Sequence, residues 1–291
     1  MRGRAPHVRV GTRLGAELTV LGIIDRHDGD AVLIVWNHAA WCPMACKLFR
    51  SRRSAEREAR ILASLSHPNT VRYLGLARPA ALLMEFLEGP TLEHLIYKSA
   101  RKRLGVSDAI RIAMHIGAAL QHVHDKSLLH LDVKPMNVII ARGGRPVLYD
   151  FGSAREQNGG RPRMVAGTDP YIAPEECLLR DVTPAADVFG LGVTLYEMLT
   201  GALPFALGRK GDFPQTRSRP KPPREHRRQI EPDLSELVLA CLACDPAQRP
   251  TLATLLPALH AHIRSGPRMW PAGFRPEEEC ARARQSGRRA R

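Results

Sequence analysis

Along the first third of the chain, apolar residues come in short runs that alternate with polar ones and end at polar turns. Leu18 to Ile24, Ala31 to Trp36 and Met44 to Phe49 predict strands, as do Val71 to Leu76 and Ala81 to Phe86 further on. Between the third and fourth of these the period changes. From Arg52 to Leu65 the residues Ile61, Leu62 and Leu65 share one stripe with charge opposite, which predicts an amphipathic helix. After Gly89-Pro90 the helical period dominates, with helices predicted near 91–100, 107–126, 185–200, 233–243 and 251–264. Val138 to Ile140 and Pro146 to Tyr149 interrupt them as a hairpin that turns at Gly143-Gly144. No internal repeat is visible. The order of elements implies an α+β fold of two lobes, a small β-rich one with a single helix and a larger, mostly helical one, with a cleft between them.

Composition narrows this only a little. With 44% hydrophobic and 25% charged residues over 291, the chain has the balance of a soluble globular protein. The most apolar stretch, Val188 to Leu199, carries Glu197 and reads as a buried helix, so no membrane span is expected. The basic N-terminus lacks the apolar core of a signal peptide, and a cytoplasmic location is the expectation. The net charge of +14 is concentrated at 209–228 and in the Arg-rich tail after Arg282. No nucleic-acid-binding motif accompanies it, so biased composition is the preferred reading and no nucleic-acid partner is expected. Both stretches read as loop or disorder. Cys241 with Cys244 on a predicted helix, and Cys42 with Cys46 on a predicted strand, read as small core residues. No His or second CxxC completes a zinc set.

The chemistry lies in His130-Leu131-Asp132-Val133-Lys134-Pro135-Met136-Asn137, followed thirteen residues after the Asn by Asp150-Phe151-Gly152. Phosphoryl transfer needs a carboxylate to take the proton of an attacking hydroxyl, oxygen ligands for Mg²⁺ and a cation to spread developing charge. Asp132, the Asn137/Asp150 pair and Lys134 are of these types. A chance match of so many specified residues is on the order of 10⁻¹⁰, which leaves little room for a merely structural motif.

Over about residues 14 to 262 the sequence resembles the Hanks-type (eukaryotic-like) serine/threonine protein kinases, and the further marks of that family follow in order. The resemblance implies ATP and Mg²⁺ as cofactors, with Asn137 and Asp150 holding the metal. Lys47, in Ala45-Cys46-Lys47, takes the place of the strand lysine that holds the α- and β-phosphates. Glu58 takes that of the helix glutamate paired with it, with Glu56 the neighbouring candidate. Val32, Ala45 and Ile139 would sandwich adenine, and the backbone of Glu85 and Leu87, in Met84-Glu85-Phe86-Leu87, would bind its edge. Asp132 and Lys134 would serve in catalysis together with Lys47. Asp187, Glu175 of Ala173-Pro174-Glu175 and its partner Arg249 would be structural. Lys134 and Thr168 imply Ser and Thr hydroxyls of proteins as acceptors, and a regulatory protein partner is a further expectation. The resemblance divides the chain into a basic segment 1–13, a kinase domain 14–264 (small lobe about 14–87, large lobe about 88–264) and a basic tail 265–291, expected to be disordered.

Three departures from the family pattern matter. The glycine-rich loop GxGxxGxV should end at Val32, yet its glycine positions hold Asp25, His27 and Asp30, with Gly29 and Asp28 between. Carboxylates facing a triphosphate would weaken its binding. That leaves open the alternative of a pseudokinase, a nucleotide-binding scaffold with weak or no phosphotransfer. The second is the region 206–228, Pro-rich and basic with no apolar stripe, where related domains carry a helix used for docking; the third is that Leu131 precedes Asp132 where many kinases carry Arg, and 154–167 contains no Ser, Thr or Tyr. A phosphate acceptor and its receptor are missing together, so activation by loop phosphorylation is not expected.

Overall fold

Alternation of small and branched residues decides the two faces of the small lobe. Strands β1 (Arg13–Leu14), β2 (Leu18–His27), β3 (Asp30–Asn37), β4 (Cys42–Leu48), β5 (Tyr73–Ala77) and β6 (Ala81–Glu85) pair antiparallel in the order β1-β2-β3-β4-β6-β5. The structure is a computed structural model and describes residues 8–27, 29–162, 164–165, 167–207 and 211–263. On β3 Ala31, Leu33 and Val35 are buried, as are Met44, Cys46 and Leu48 on β4. They form one apolar layer with Leu18, Val20 and Leu83. Val32, Ile34, Ala45 and Lys47 therefore share the opposite, half-exposed face. Register sets Val32 beside Lys47 and Ile34 beside Ala45.

Between β4 and β5 runs α1 (Arg52–Ala63), started by Ser51, whose hydroxyl accepts from the Ser54 N–H at 3.4 Å. It buries Ala55, Glu58, Ala59 and Leu62, an i, i+3, i+4, i+7 stripe with a single charged member. The folded unit reaches back beyond the boundary placed at residue 14. Val8 is buried against the sheet, and Gly11 donates to the Val20 carbonyl.

The large lobe holds α2 (Leu92–Lys98), α3 (Val106–Asp125), α4 (Pro174–Cys177), α5 (Ala185–Thr200), α6 (Pro223–His226), α7 (Pro232–Cys241) and α8 (Leu252–Ala261). A short pair, β7 (Leu128–Leu129) with β10 (Arg155–Glu156), and the hairpin of β8 (Val138–Ala141) with β9 (Arg145–Leu148) lie at the cleft side. The turn of that hairpin uses Gly143 and Gly144 at φ 82° and 76°. Helix α5 is apolar on nearly every side and runs through the lobe's core, packed on α3 and α7. It can approach its neighbours because Gly192 faces Cys241, where a Cβ would come within 2.7 Å of the Cys241 Cβ. The result is the two-lobed α+β architecture expected. Among the described residues no helix is long and apolar enough to cross a membrane.

Two expectations change. The stretch 209–228 was expected as loop or disorder, but from 211 onward it is packed, with a 3₁₀ turn at Pro214–Thr216 and α6. Polar anchors replace the absent apolar stripe: Gln215 is buried and donates to the Ile172 carbonyl at 3.1 Å, and the Tyr196 hydroxyl donates to the Lys221 carbonyl at 2.9 Å. Cys241 is buried as expected, but Cys244 lies past the end of α7 and is exposed, so it is not core filler. The short elements β1, β7, β10, α4 and α6 carry too few residues for any period to announce them. The tail 265–291 lies outside the described residues.

The lobe is cross-linked by Arg249, which forks onto Glu175 with both N–O distances at 2.7 Å and also donates to the carbonyls of Ala243, Cys244 and Ala185. Both partners are buried. Removing one leaves the other as an uncompensated buried charge, which costs about 3–5 kcal/mol. Arg249→Met is expected to lower unfolding stability in urea by that amount, and adding Glu175→Leu is expected to return part of it.

Candidate active site

Six of the singled-out side chains converge in the cleft. Glu58 sits on the buried stripe of α1, where a lone carboxylate would be costly. Lys47 answers it from the half-exposed face of β4. Its Nζ lies 2.9 and 3.1 Å from the two Glu58 oxygens and 2.7 Å from Asp150 Oδ1. One ammonium thus ties the sheet, α1 and the loop after β9. Burial alone would lower the Lys47 pKa, but the charges of Glu58 and Asp150 outweigh it and the ammonium is held above its ordinary value. For Asp150 burial works upward, and Lys47 with the Gly152 N–H brings the carboxyl below its usual range. Glu56, the neighbouring candidate, pairs with Arg52 instead.

The second cluster is built on the loop before β8. Asp132 Oδ2 accepts from Lys134 Nζ and from Asn137 Nδ2, each at 2.8 Å, while Lys134 also donates to the Thr168 hydroxyl at 2.5 Å. Asp132 Oδ1 is buried and has no partner. An acceptor oxygen held this way can take a proton from a hydroxyl brought to it. Asn137 spends its amide N–H groups on the Asp132 backbone carbonyl and carboxylate, which leaves its side-chain oxygen available as an acceptor. Two oxygen donors suit Mg²⁺, a hard cation that completes its shell with phosphate and water.

The loop's shape comes from Asp187 near the start of α5. Its carboxylate accepts from the backbone N–H of His130 at 2.9 Å and of Leu131 at 2.8 Å, and bonds His124 Nε2 at 2.8 Å. Leu131 and Asp150, both at φ 61°, hold left-handed backbone that a side chain adopts only under constraint. The His130 ring packs edge-on against Phe151 at 4.7 Å, linking the two loops.

Val32, Ala45 and Ile139 are half-buried; Ala45, Ile139 and Leu87 pack against one apolar cluster, and Val32 stands opposite Lys47 in the sheet. Leu87 makes no backbone hydrogen bond among the described residues, and the Glu85 N–H donates to the Arg72 carbonyl. At the tip of β2–β3, Gly29 turns at φ 86°, and Asp30 Oδ1 accepts from the Arg50 N–H at 2.8 Å. Asp30 is therefore turned toward the end of β4 rather than into the cleft. Asp25 is exposed, and Asp28 lies outside the described residues.

Sequence reasoning missed Arg57. From α1, next to Glu58, it donates to the Gly152 carbonyl at 3.1 Å and to the Ala154 carbonyl. It also missed His124. No motif marks either residue, because each acts on a backbone or carboxylate far along the chain.

Comparison with known proteins agrees with this geometry. The sequence profile of the protein kinase domain matches residues 31–260. The chain is 35% identical over 206 residues to serine/threonine-protein kinase PknA of Mycobacterium tuberculosis, covering 66% of this chain and 46% of that one. It is 32% identical over 227 residues to serine/threonine-protein kinase PknB of Mycobacterium leprae, covering 72% and 36%. It is 30% identical over 209 residues to the probable serine/threonine-protein kinase CPE1738 of Clostridium perfringens, covering 68% and 30%. The matched region spans less than half the length of each of these relatives.

Asp187 generates a pH prediction. Burial raises its pKa, but His124 and the backbone donors prevail and hold it below the ordinary 3.8. A depressed carboxyl contributes stability above its unfolded value and loses it as pH falls through the folded one. Asp187→Asn is expected to cost about 2–3 kcal/mol at pH 7. In urea titrations the gap to wild type should close as pH drops below 3.8.

Proposed function

The chain belongs to the protein kinase family, and from that premise we propose that it is an ATP- and Mg²⁺-dependent kinase acting on Ser and Thr hydroxyls of proteins. The observation that carries the reading is the single ammonium of Lys47 held between Glu58 and Asp150, at 2.9 and 2.7 Å, on the same cleft as Asp132. A scaffold that only bound partners would have no need of that arrangement. With Asp30 directed at Arg50, one of the carboxylates that favoured a pseudokinase no longer faces the phosphates.

In this reading ATP supplies the γ-phosphoryl group, and a bound Mg²⁺ would neutralise charge on the phosphates. Asn137 and Asp150 would hold the metal. Lys47 orients the α- and β-phosphates, with Glu58 fixing its direction. Val32, Ala45, Ile139 and Leu87 exclude water from the adenine. Asp132 Oδ1 receives the proton of the acceptor hydroxyl as its oxygen bonds to phosphorus and ADP departs. Lys134, fixed by Asp132 and Thr168, lies close enough to share the charge that develops. Asp132→Asn is expected to reduce kcat by about 10²–10⁴-fold with nucleotide affinity retained, measured by phosphate incorporation into a generic protein substrate alongside nucleotide titration. Loss of affinity in step with kcat would contradict the assignment.

Regulation follows from the same contacts. The place of a phosphate-binding Arg is taken by Leu131, half-buried against the core of the large lobe. Meanwhile α1 is held inward by Lys47 and by Arg57 on the Gly152 and Ala154 carbonyls. Arg161 pairs with Asp181 at 3.3 Å, an exposed contact of little weight. In this reading the active geometry needs no loop phosphate, and control would come from a protein partner acting on α1. Phosphatase treatment is expected to leave the initial rate unchanged, while Arg57→Ala lowers it. A rate that falls as Ser153 or Thr168 is dephosphorylated would refute this.

A further inference from the structure

A second feature is far from the cleft. The turn between α2 and α3 carries Arg101, Lys102 and Arg103, and the segment through α6 carries Lys221, Arg224, Arg227 and Arg228. Some 120 residues apart in sequence, they meet at the end of α5. The Arg227 guanidinium donates to the Leu104 carbonyl at 2.7 Å and to the Leu199 carbonyl at 3.3 Å, and Leu104 in turn donates to the Met198 carbonyl. Burial first, and then the charges of Arg103 and Arg101, lower the Arg227 pKa, as expected where cations crowd together.

Arg227 has a structural task, since a cation at the C-terminal end of α5 opposes the helix dipole. The others have none of that kind. Arg101, Lys102, Lys221, Arg224 and Arg228 are exposed and Arg103 half-exposed, and among the described residues none forms an ion pair. Glu225 is the carboxylate on α6 beside them. Arg101 and Lys102 adopt φ 62° and 51°, a left-handed pair that glycine would take without strain. Gly201 allows this turn to lie against α5, since a Cβ there would come within 2.7 Å of the Lys102 carbonyl oxygen. Two exposed basic residues are thus held in strained backbone. Tyr97, 63% exposed, lies beneath Lys102, whose Nζ is 5.0 Å from the ring centroid.

The charge continues into the tail. Helix α8 ends beside this face, where His262 Nδ1 bonds Glu231 Oε2 at 2.9 Å, three residues after Arg228. Beyond it the sequence 264–291 carries eight Arg against three Glu.

We propose that this face binds the phosphate backbone of nucleic acid without regard to sequence. The cations stand exposed on the surface, so recognition rests on charge. An acidic peptide gains little from exposed, screened ion pairs. A nucleic acid, with its condensed counterions, gains from their release at each phosphate neutralised. Arginine forks match phosphate oxygens, and an exposed ring beside them is a place for a base to stack. Sequence reading set the charge aside for want of a motif. The surface instead arises from two segments that only folding brings together.

The test uses the full chain with a fluorescein-labelled 20-base-pair duplex of mixed sequence and a labelled 20-mer of dT. Anisotropy should report binding whose log Kd rises with log salt with a slope of about 4–5, near 0.9 for each phosphate contact. Arg101→Asn, Lys102→Gly, Arg103→Gln, Arg224→Gln and Arg228→Gln together are expected to weaken binding by at least tenfold in about 0.15 M salt and to flatten the slope. Five Arg→Gln changes elsewhere, at Arg9, Arg53, Arg60, Arg142 and Arg180, are expected to change it much less. Phosphorylation of a generic protein by both variants should match wild type, which separates this proposal from the kinase reading. Should the first variant not fold, ultraviolet cross-linking of wild type to 4-thiothymidine-substituted dT and peptide mapping give a second readout, with cross-links expected at 97–103 and 221–228. Equal losses in the two variants would overturn the proposal, as would cross-links confined to 264–291. So would binding to phosphatidylserine vesicles with none to the oligonucleotides, or displacement of the duplex by poly-glutamate at equal charge.

Discussion

One ammonium group holds the cleft together. Lys47 meets Glu58 and Asp150 at once, so a strand, a helix and a loop from three parts of the chain share a single charge centre. Its strength comes from burial, because the same separation in bulk water would be worth several-fold less. Burial also makes the arrangement unforgiving. Glu58 is on the apolar stripe of α1, and if Lys47 withdrew, the helix would expose the carboxylate by turning or retain it at high cost. The position of α1 is therefore an electrostatic consequence as much as a packing one.

The large lobe works on a different principle. Its centre is α5, an apolar helix whose glycines let neighbours come close and whose first turn carries Asp187. A buried carboxylate accepting two consecutive backbone N–H groups fixes a loop more tightly than side-chain packing could, since it determines backbone direction. The strained φ values of Leu131 and Asp150 are tolerated because this scaffold over-determines them. Rigidity made in the hydrophobic core is delivered to the cleft through hydrogen bonds.

How much of this was legible beforehand follows the range of each interaction. Helices α3 and α5 and the strands β2 to β4 were visible because their periods run over many residues. Lys47, Glu58, Asp132, Lys134, Asn137 and Asp150 were visible because fixed spacings mark them, and the structure brings all six to one cleft. The place of Glu85 at the end of β6 was read, while the bond from its N–H to the Arg72 carbonyl was not. What stayed hidden was single polar contacts between distant segments. Gln215 under Ile172, Arg227 on Leu104 and Arg57 on Gly152 each replace an apolar stripe or motif by one or two hydrogen bonds, and a pattern search has nothing to find there. The turn of Asp30 toward Arg50 belongs to the same class.

The adjacency of Arg57 and Glu58 has a mechanical meaning. Neighbouring residues on a helix point about 100° apart, so these two grip the loop after β9 from different directions: Glu58 through Lys47, and Arg57 through the Gly152 and Ala154 carbonyls. Two non-parallel tethers suppress rolling of α1 about its own axis as well as outward swing, leaving helix and loop to move as one body. A small molecule that requires α1 displaced must release both tethers together, and its apparent affinity falls by the fraction of molecules in which both are open. One that fits the cleft with α1 in place meets no such barrier.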